Sequence, residues 1–440
     1  MMAYITDKLL YEGKTKKIYA LEGDKDFVLI ENKDDITKFD DSSLTESFNT
    51  KAAYATTTTC RVFELLKAAG IPVAYKEQVS ANQFVVDNCE MVPLEVVARR
   101  YAVGSFLKRH PELKKAADAQ PHRFHRLEAE FFLKTTDGKL EINGNTIAEG
   151  FDGKAGTEDP FIGNPYENSW NLFHPKKPSW EEGSDLGKSV NMNDVVADVD
   201  MMHKMEEILR RVFLTLEGAW SVLGLRLIDM KIEFGINTKG ELLVADVIDN
   251  DSWRLRDSNW QELSKESFRQ GEELSAVEKK YGTVAGLSEQ FRMPKQALVF
   301  WRASESDELP NFNKDIQFED VVDVVVVTKS AHKSTRESLD KLEEILGKYP
   351  DGGCVVAKVG RSNGLGPVVA ARTSWPVIAI PATLGKNPED VWSSVRMPSL
   401  VPLMTVWPEY NALLAAANVL GQKNPAIYAM RQIGIERNDY

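Results

Sequence analysis

The chain has 440 residues, 43% of them hydrophobic and 27% charged, which is enough for two or three domains that bury their own cores. Its formal charge of −12 leaves no broad basic field, so a general nucleic-acid binder is excluded while local basic pockets for small phosphorylated ligands are not. Cys60, Cys89 and Cys354 have neither metal nor redox spacing and suit a reducing, cytoplasmic setting; no signal pattern opens the chain, and the longest apolar runs are strand-sized, so no membrane role is expected.

Taken in chain order, residues 15–21 and 27–30 flank the polar turn 22–26 and read as a hairpin. Residues 44–69 predict a helix, capped by Ser42 or Ser43 and ended by Gly70. Strands follow around 71–79, 83–86 and 91–98. From about 135 to 190 the chain is polar and dense in Gly, Pro, Asn and Trp, which reads as a large loop or lid-like insertion. Residues 192–220 then predict an amphipathic helix, with Val195, Val199, Met202, Met205, Leu209, Val212 and Leu216 at helical spacing.

Residues 227–235 alternate with period two. Ile228, Met230, Ile232 and Phe234 point one way, and Asp229, Lys231 and Glu233 the other. A turn at 237–240 returns the chain through 242–248, which sets Asp246 opposite or diagonal to Lys231 and Glu233. Two carboxylates beside a lysine suit a hard cation such as Mg²⁺ carrying phosphates, and a solvated hairpin face is the alternative. Residues 261–290 are charged and helix-prone, a helical connector. Beyond them, short apolar strands at 297–301, 321–328, 353–359 and 376–380 alternate with loops or helices, a rhythm that predicts a parallel sheet in a flavodoxin-like α/β domain. Ser334 and Glu337 have capping-box spacing. The expected domains are 1–262, with an insertion at about 136–190, a connector at 263–295, and 296–440.

Three segments of the second domain follow strands: residues 303–307, 330–333 and 360–367. Ligands bind outside the carboxyl ends of parallel strands, so these should share one crevice, with the glycine-rich loop offering N–H groups to a phosphate and His332 able to move a proton. In the first domain Lys14 and Lys16 share a strand face beside Gly13 and can straddle a triphosphate. Arg99 and Ser105 sit where a carboxylate or phosphate can be gripped. The other histidines, His110, His122, His125, His174 and His203, lack metal spacing and are read as structural or exposed.

Residues 11–17, 93–105, 227–235 and 245–254 resemble the SAICAR synthetases; residues 304–307, 330–333 and 360–367 resemble the animal-type AIR carboxylases. Their order resembles the bifunctional family of de novo purine synthesis. That resemblance implies an α+β, ATP-grasp-like first domain before the flavodoxin-like one. It implies carboxylation of aminoimidazole ribonucleotide by CO₂ without ATP or biotin, then condensation with L-aspartate using ATP and Mg²⁺. By the same resemblance Lys14, Lys16, Lys134, Lys231 and Glu233 would hold ATP, and Glu233 and Asp246 the metal. Arg99, Ser105, Asp229, Lys231, Asp251 and Arg254 would take substrate groups. In the carboxylase half, Ser304, Ser306 and Asp307 would hold ribose and phosphate, and Ser330, His332 and Lys333 would stand at the reacting end. Arg361, Ser362, Asn363, Gly364 and Gly366 would enclose the imidazole, and the chain would assemble as a homo-octamer. Ala303 departs from the family's glycine, Lys358 from an apolar residue and Val103 from Thr or Ala. Two other readings are a synthetase whose C-terminal domain mainly drives assembly, and a non-catalytic nucleotide-binding scaffold.

Overall fold

The computed structural model of the chain describes residues 4–37, 45–47, 50–116, 119–269, 271–308 and 318–438. They fall into two compact units, Met1–Lys67 with Ile71–Phe291, and Ala68–Gly70 with Arg292–Asn438.

The first unit is built on two antiparallel sheets. One runs in the order Thr6–Glu12, Lys16–Leu21, Asp24–Asn32, Gln83–Asp87, Tyr75–Gln78. The expected hairpin is present, turning tightly at Gly23, whose φ of 72° is open to glycine at no steric cost. The helix that follows is Lys51–Ala68, not 44–69: Thr45–Ser47 pairs instead with Asp35–Thr37, and the expected caps Ser42 and Ser43 lie outside the described residues.

The second sheet has nine strands and is organised around Arg226–Asn237. That strand pairs with Leu94–Tyr101, Leu242–Ala245, Trp253–Arg256 and Cys89–Met91. The predicted alternation is present. Ile228, Met230, Ile232 and Phe234 are buried against the helix side, yet the opposite face is only partly solvated: Lys231 is half-buried, and Asp229 is 3% and Glu233 8% exposed. Val199–Val222 supplies the amphipathic helix, with Met202, Met205, Leu209, Val212 and Leu216 fully buried. It starts later than the periodicity suggests, because the Asp198 carboxylate accepts from Met201 N and sets the first turn there.

Residues 135–190 are not a loop. They form a free-standing hairpin, Lys139–Ile142 with Asn145–Glu149, and three strands, Phe161–Ile162, Ser169–Phe173 and Asp185–Asn191, that extend the nine-stranded sheet. Ser169–Phe173 and Asp185–Asn191 do alternate, with Trp170 and Leu172 fully buried on one side of the first, but the Gly-, Pro- and Asn-rich segments around them read as loop. The helix Leu274–Ser288 of the expected connector packs Val277 and Tyr281 with Ile36 and Phe268 inside the first unit.

In the second unit five parallel strands run in the order Asp323–Thr328, Ala297–Arg302, Gly353–Val359, Val377–Pro381, Met404–Thr405. This is the 2-1-3-4-5 order of flavodoxin-like sheets. Separate apolar clusters cover its two faces, one with the helix Thr335–Lys348, the other with Glu409–Leu420 and Pro425–Glu436. Ser334 stands at the N-cap of its helix without a side-chain capping bond, and Glu337 pairs with Lys329 at 3.0 Å, so the expected capping box does not form.

Candidate active sites

A cleft of about 810 Å³ lies in the first unit where the two sheets meet, a size that suits a small organic ligand. Its walls are apolar at one end, with Ile18, Val28, Val86, Met91 and Ala245, and charged at the other. There Lys134 Nζ donates to Glu233 Oε2 at 2.5 Å, and Lys16 pairs with Asp246. The hairpin register ends with Glu233 opposite Ala245, so Asp246 comes directly after the last pair, neither opposite Glu233 nor on its two-residue diagonal as expected, and both carboxylates line the cleft. Asp246 has φ of 62°, a left-handed conformation that an aspartate tolerates better than most residues. Burial works against the Glu233 carboxylate, but Lys134, Lys231 and Lys16 outweigh it and hold its pKa below the ordinary range. Burial, with the charges of Lys134 and Lys231, pushes Lys16 down to about 8 against the pull of Glu233.

A second, polar recess of about 300 Å³ shares Tyr11 and Lys16 with the cleft. Lys14, Lys51, Lys231 and Lys265 also line it, facing Asp249 and Asp251. Asp251 receives Lys265 at 3.2 Å, Lys51 at 3.5 Å and the Tyr281 hydroxyl. Burial pushes Asp249 up, to about 6, and the charge of Asp251 adds to this; the lysines carry Asp251 the opposite way, below the carboxylate range, against its own burial.

Arg99 and Arg254 converge on one carboxylate. Both donate to Asp229 Oδ2, at 2.5 and 2.6 Å; Arg99 also donates to Glu130 at 2.6 Å and to Ser105 Oγ at 3.0 Å. Arg109 grips the other oxygen of Glu130. The charges are buried but each is paired, as burial requires. Gly104 has φ of 60°, and a Cβ on it would stand 2.7 Å from Arg254 Nη2, so glycine is what lets that guanidinium reach Asp229. Lys231 pairs with Glu95, and Asp159 adds a further carboxyl beside them, pushed up to about 6 by burial and held by Thr135 N at 2.7 Å. Sequence reading missed Glu95, Glu130, Asp159, Lys51, Lys265 and Tyr281. Only Glu95 carried a signal, in the motif that also supplies Arg99.

In the second unit the three segments follow the carboxyl ends of neighbouring strands, and the second and third of them touch. Arg302 Nε donates to Thr328 Oγ1 at 2.9 Å, and its Nη1 holds the carbonyls of Glu305 and Asp307. Asp307 Oδ2 accepts from Ser304 N at 3.1 Å, and Ser306 Oγ donates to Ser304 Oγ at 3.0 Å, so the carboxylate shapes its own loop. The His332 ring lies against Gly364, where a Cβ would collide with it. Exposed Lys333 and half-buried Ser330 stand beside it. Arg361 reaches Asp390 at 3.5 Å and Ser362 is exposed, whereas Asn363 turns inward, accepting from Gly366 N at 2.8 Å and donating to Ser394 Oγ at 3.0 Å. Ala303 is not among the residues with positive φ, so alanine replaces the expected glycine without strain. Lys358 extends to the Glu308 carbonyl at 2.6 Å and Glu409 at 2.7 Å, which explains a charge on an otherwise apolar strand. Val103 precedes the helix Gly104–Arg109, and its carbonyl accepts from Arg99 Nη1 at 3.5 Å. Among the described residues no cluster of three or more His, Cys, Asp or Glu is arranged for a metal, and no helix is long and apolar enough to cross a membrane.

Comparison with known proteins agrees with both halves. The SAICAR synthetase family matches residues 9–147 and 184–286, and the AIR carboxylase family residues 303–434. These matches define a ligase and a lyase carried on one polypeptide that serves purine biosynthesis. A probable multifunctional protein ADE2 of Caenorhabditis elegans is 34% identical, covering 96% of this chain and 92% of that protein. The bifunctional phosphoribosylaminoimidazole carboxylase/phosphoribosylaminoimidazole succinocarboxamide synthetase of Homo sapiens is 31% identical, covering 97% and 93%. A solved SAICAR synthetase (type 2) in complex with ADP is 25% identical with a TM-score of 0.48, covering 64% of this chain and 98% of that one. The chain belongs to the bifunctional AIR carboxylase/SAICAR synthetase family, and both activities are its own.

Asp159 yields a test of the electrostatics. Its folded pKa of about 6 lies above the usual 3.8, so folding takes up a proton and stability falls as pH rises from about 4 to about 6. Asparagine keeps the acceptor for Thr135 N and tolerates the observed φ of 52°. Asp159→Asn should therefore unfold like the parent below pH 4 and be more stable above pH 6, by roughly 1–3 kcal/mol; thermal unfolding across that window measures the difference.

Proposed function

We propose that the first unit carries out the ATP-dependent condensation with L-aspartate in the 810 Å³ cleft and its recess, and the second the carboxylation of aminoimidazole ribonucleotide. The observation that carries the reading is the pairing of Lys16 with Asp246 and Lys134 with Glu233 at the mouth of an apolar slot. The slot suits a purine base. Lys14, Lys16 and Lys134 would take the phosphates, as ammonium groups gathered at the charged end of the cleft and its recess. Glu233 and Asp246, two carboxylates with Glu233 held in its charged form, fit Mg²⁺, which usually takes one or two carboxylates plus phosphate oxygens and water. When bound, the ion neutralises charge on the phosphates.

The recess, with five lysines against two carboxylates, suits the carboxylated nucleotide and L-aspartate, both anionic. Arg254 and Ser105 would contribute from its edge, positioned by Asp229 and Arg99. The γ-phosphoryl passes to the imidazole carboxylate; the aspartate amine then attacks the acyl phosphate, forming the amide, losing a proton and releasing phosphate. Positioning and fixed charge are what such a transfer chiefly needs.

In the second unit Ser304, Ser306 and the loop shaped by Asp307 would hold ribose and phosphate, with Ser330, His332 and Lys333 at the reacting carbon. Arg361, Ser362 and the backbone of Gly364 and Gly366 would close over the imidazole, with Asn363 fixing the loop. The acidic charge of −12 supports small-molecule ligands over nucleic acid, and three unpaired cysteines support the cytoplasm. Apolar side chains exposed on this unit, among them Trp392, Leu400 at 98% and Trp407, support assembly through it as a homo-octamer.

Glu233→Gln should lower succinocarboxamide formation by roughly 100-fold or more and leave carboxylation at the parent rate, since an amide is a poor ligand for a hard cation. Coupled and single-reaction assays read the two separately, and equal loss of both in a folded variant overturns the two-site assignment. His332→Asn keeps a hydrogen-bonding group and loses the proton carrier, so carboxylation should fall by roughly 10²–10⁴-fold while the condensation, given ready-made carboxylated nucleotide, is unaffected. Sedimentation velocity at micromolar concentration should show an eight-chain species; a stable monomer contradicts it.

A further inference from the structure

Residues 148–183 have no counterpart in the family match, which stops at 147 and resumes at 184. They are nevertheless attached to the nucleotide cleft. The hairpin Lys139–Ile142/Asn145–Glu149 forms a sheet of its own, and Thr136, Asp137, Lys139, Leu140 and Glu141 line the cleft. A two-stranded ribbon is marginal in water without something to hold it. At its base, Phe151 N donates to Gly138 O at 3.1 Å, and both Leu140 and Phe151 are 3% exposed. Gly138, at φ of 75°, has no room for a Cβ beside the Phe151 carbonyl.

A charged side chain reaches this base from the large sheet. Lys188, on the strand Asp185–Asn191, donates from Nζ to the carbonyls of Glu149 at 2.5 Å and Gly150 at 2.9 Å, and stands 4.7 Å from the Phe151 ring centroid. Gly150, at φ of 80°, would place a Cβ 2.6 Å from that ammonium. Glu149 is the cross-strand partner of Lys139, a residue of the cleft wall, so the pinned carbonyl lies one strand away from the ligand space. Its two acceptors belong to the unmatched segment.

We infer that Lys188 pins the 139–149 hairpin against the large sheet through the first carbonyls of the unmatched segment and so makes that junction a determinant of nucleotide affinity in this chain. This rests on the reading of the cleft as the ATP site. Lys188 is a positioning residue: it acts through the hairpin and touches no reacting atom. Because the hairpin faces only the nucleotide end, its release costs nucleotide binding and spares the chemistry in the recess.

The test uses the full-length protein, Mg·ADP as calorimetric probe and steady-state kinetics. Lys188→Met keeps the apolar stem but loses both bonds, and should weaken ADP binding roughly three- to tenfold, the range expected for a part-exposed charged hydrogen bond. The KM for ATP should rise in step, with kcat and the KM for aspartate unchanged. Lys188→Arg retains donors for two carbonyls and should recover the parent affinity. Amide hydrogen exchange at Lys139 and Phe151 should quicken in the methionine variant alone. Parent-like binding by Lys188→Met, or an equal loss in kcat and both KM values, overturns the pin. A parent that binds no Mg·ADP instead overturns the assignment of the cleft, and the pin falls with it.

Discussion

The first unit depends on one strand that buries a charged face. Along Arg226–Asn237 the side opposite the helix carries Asp229, half-buried Lys231 and Glu233, and the two buried carboxylates must each find an opposite charge once water is removed. Two neighbouring strands, Leu94–Tyr101 and Trp253–Arg256, and Lys134 beyond them supply those charges: Arg99 and Arg254 to Asp229, Glu95 to Lys231, Lys134 to Glu233. Losing one partner would leave a buried ion unpaired, which is far costlier than the modest net worth of the pair itself. The arrangement is thus strongly constrained, and the constraint holds donors and acceptors at fixed positions around a cleft.

That constraint also sets protonation states without exposing the groups to bulk water. Glu233 is kept charged by three ammonium groups, and Lys16 is brought to about 8 by burial with like charges near it. In the adjoining recess Asp249 and Asp251, two residues apart, are driven in opposite directions because Lys51, Lys265 and the Tyr281 hydroxyl all serve Asp251. Opposed environments for neighbouring carboxyls are a common feature of sites that handle charge. Asp246 and Asp159 both take left-handed backbone conformations, which aspartate tolerates better than most residues.

The second unit solves a simpler problem. A parallel sheet of 2-1-3-4-5 order brings its strand ends together whatever the loops contain, and the loops then need only close contact. Gly364 permits that contact by leaving space for the His332 ring, and Asn363 fastens the loop to Ser394 and Gly366. Ala303 shows that a departure from an expected glycine is harmless where the backbone does not need positive φ.

What the sequence determined by itself is what a local period or a short motif can encode: the alternation of Arg226–Asn237, the hairpin that returns the chain beside Glu233, the strand–helix rhythm of the second unit and the loops at its strand ends. These are properties of neighbours in the chain, and side-chain direction follows directly from backbone period. Pairing across distance was not legible. Lys134 meets Glu233 from 99 residues away, and Lys51 reaches Asp251 from a helix whose sequence gives no hint that its first residue is buried. The strands of 135–190 were equally hidden, because short runs set among glycines, prolines and asparagines read as loop until the sheet edge they join is known. Tertiary structure decided these, since a buried charge selects its partner by proximity in space, and a short strand is stable only against a sheet already formed.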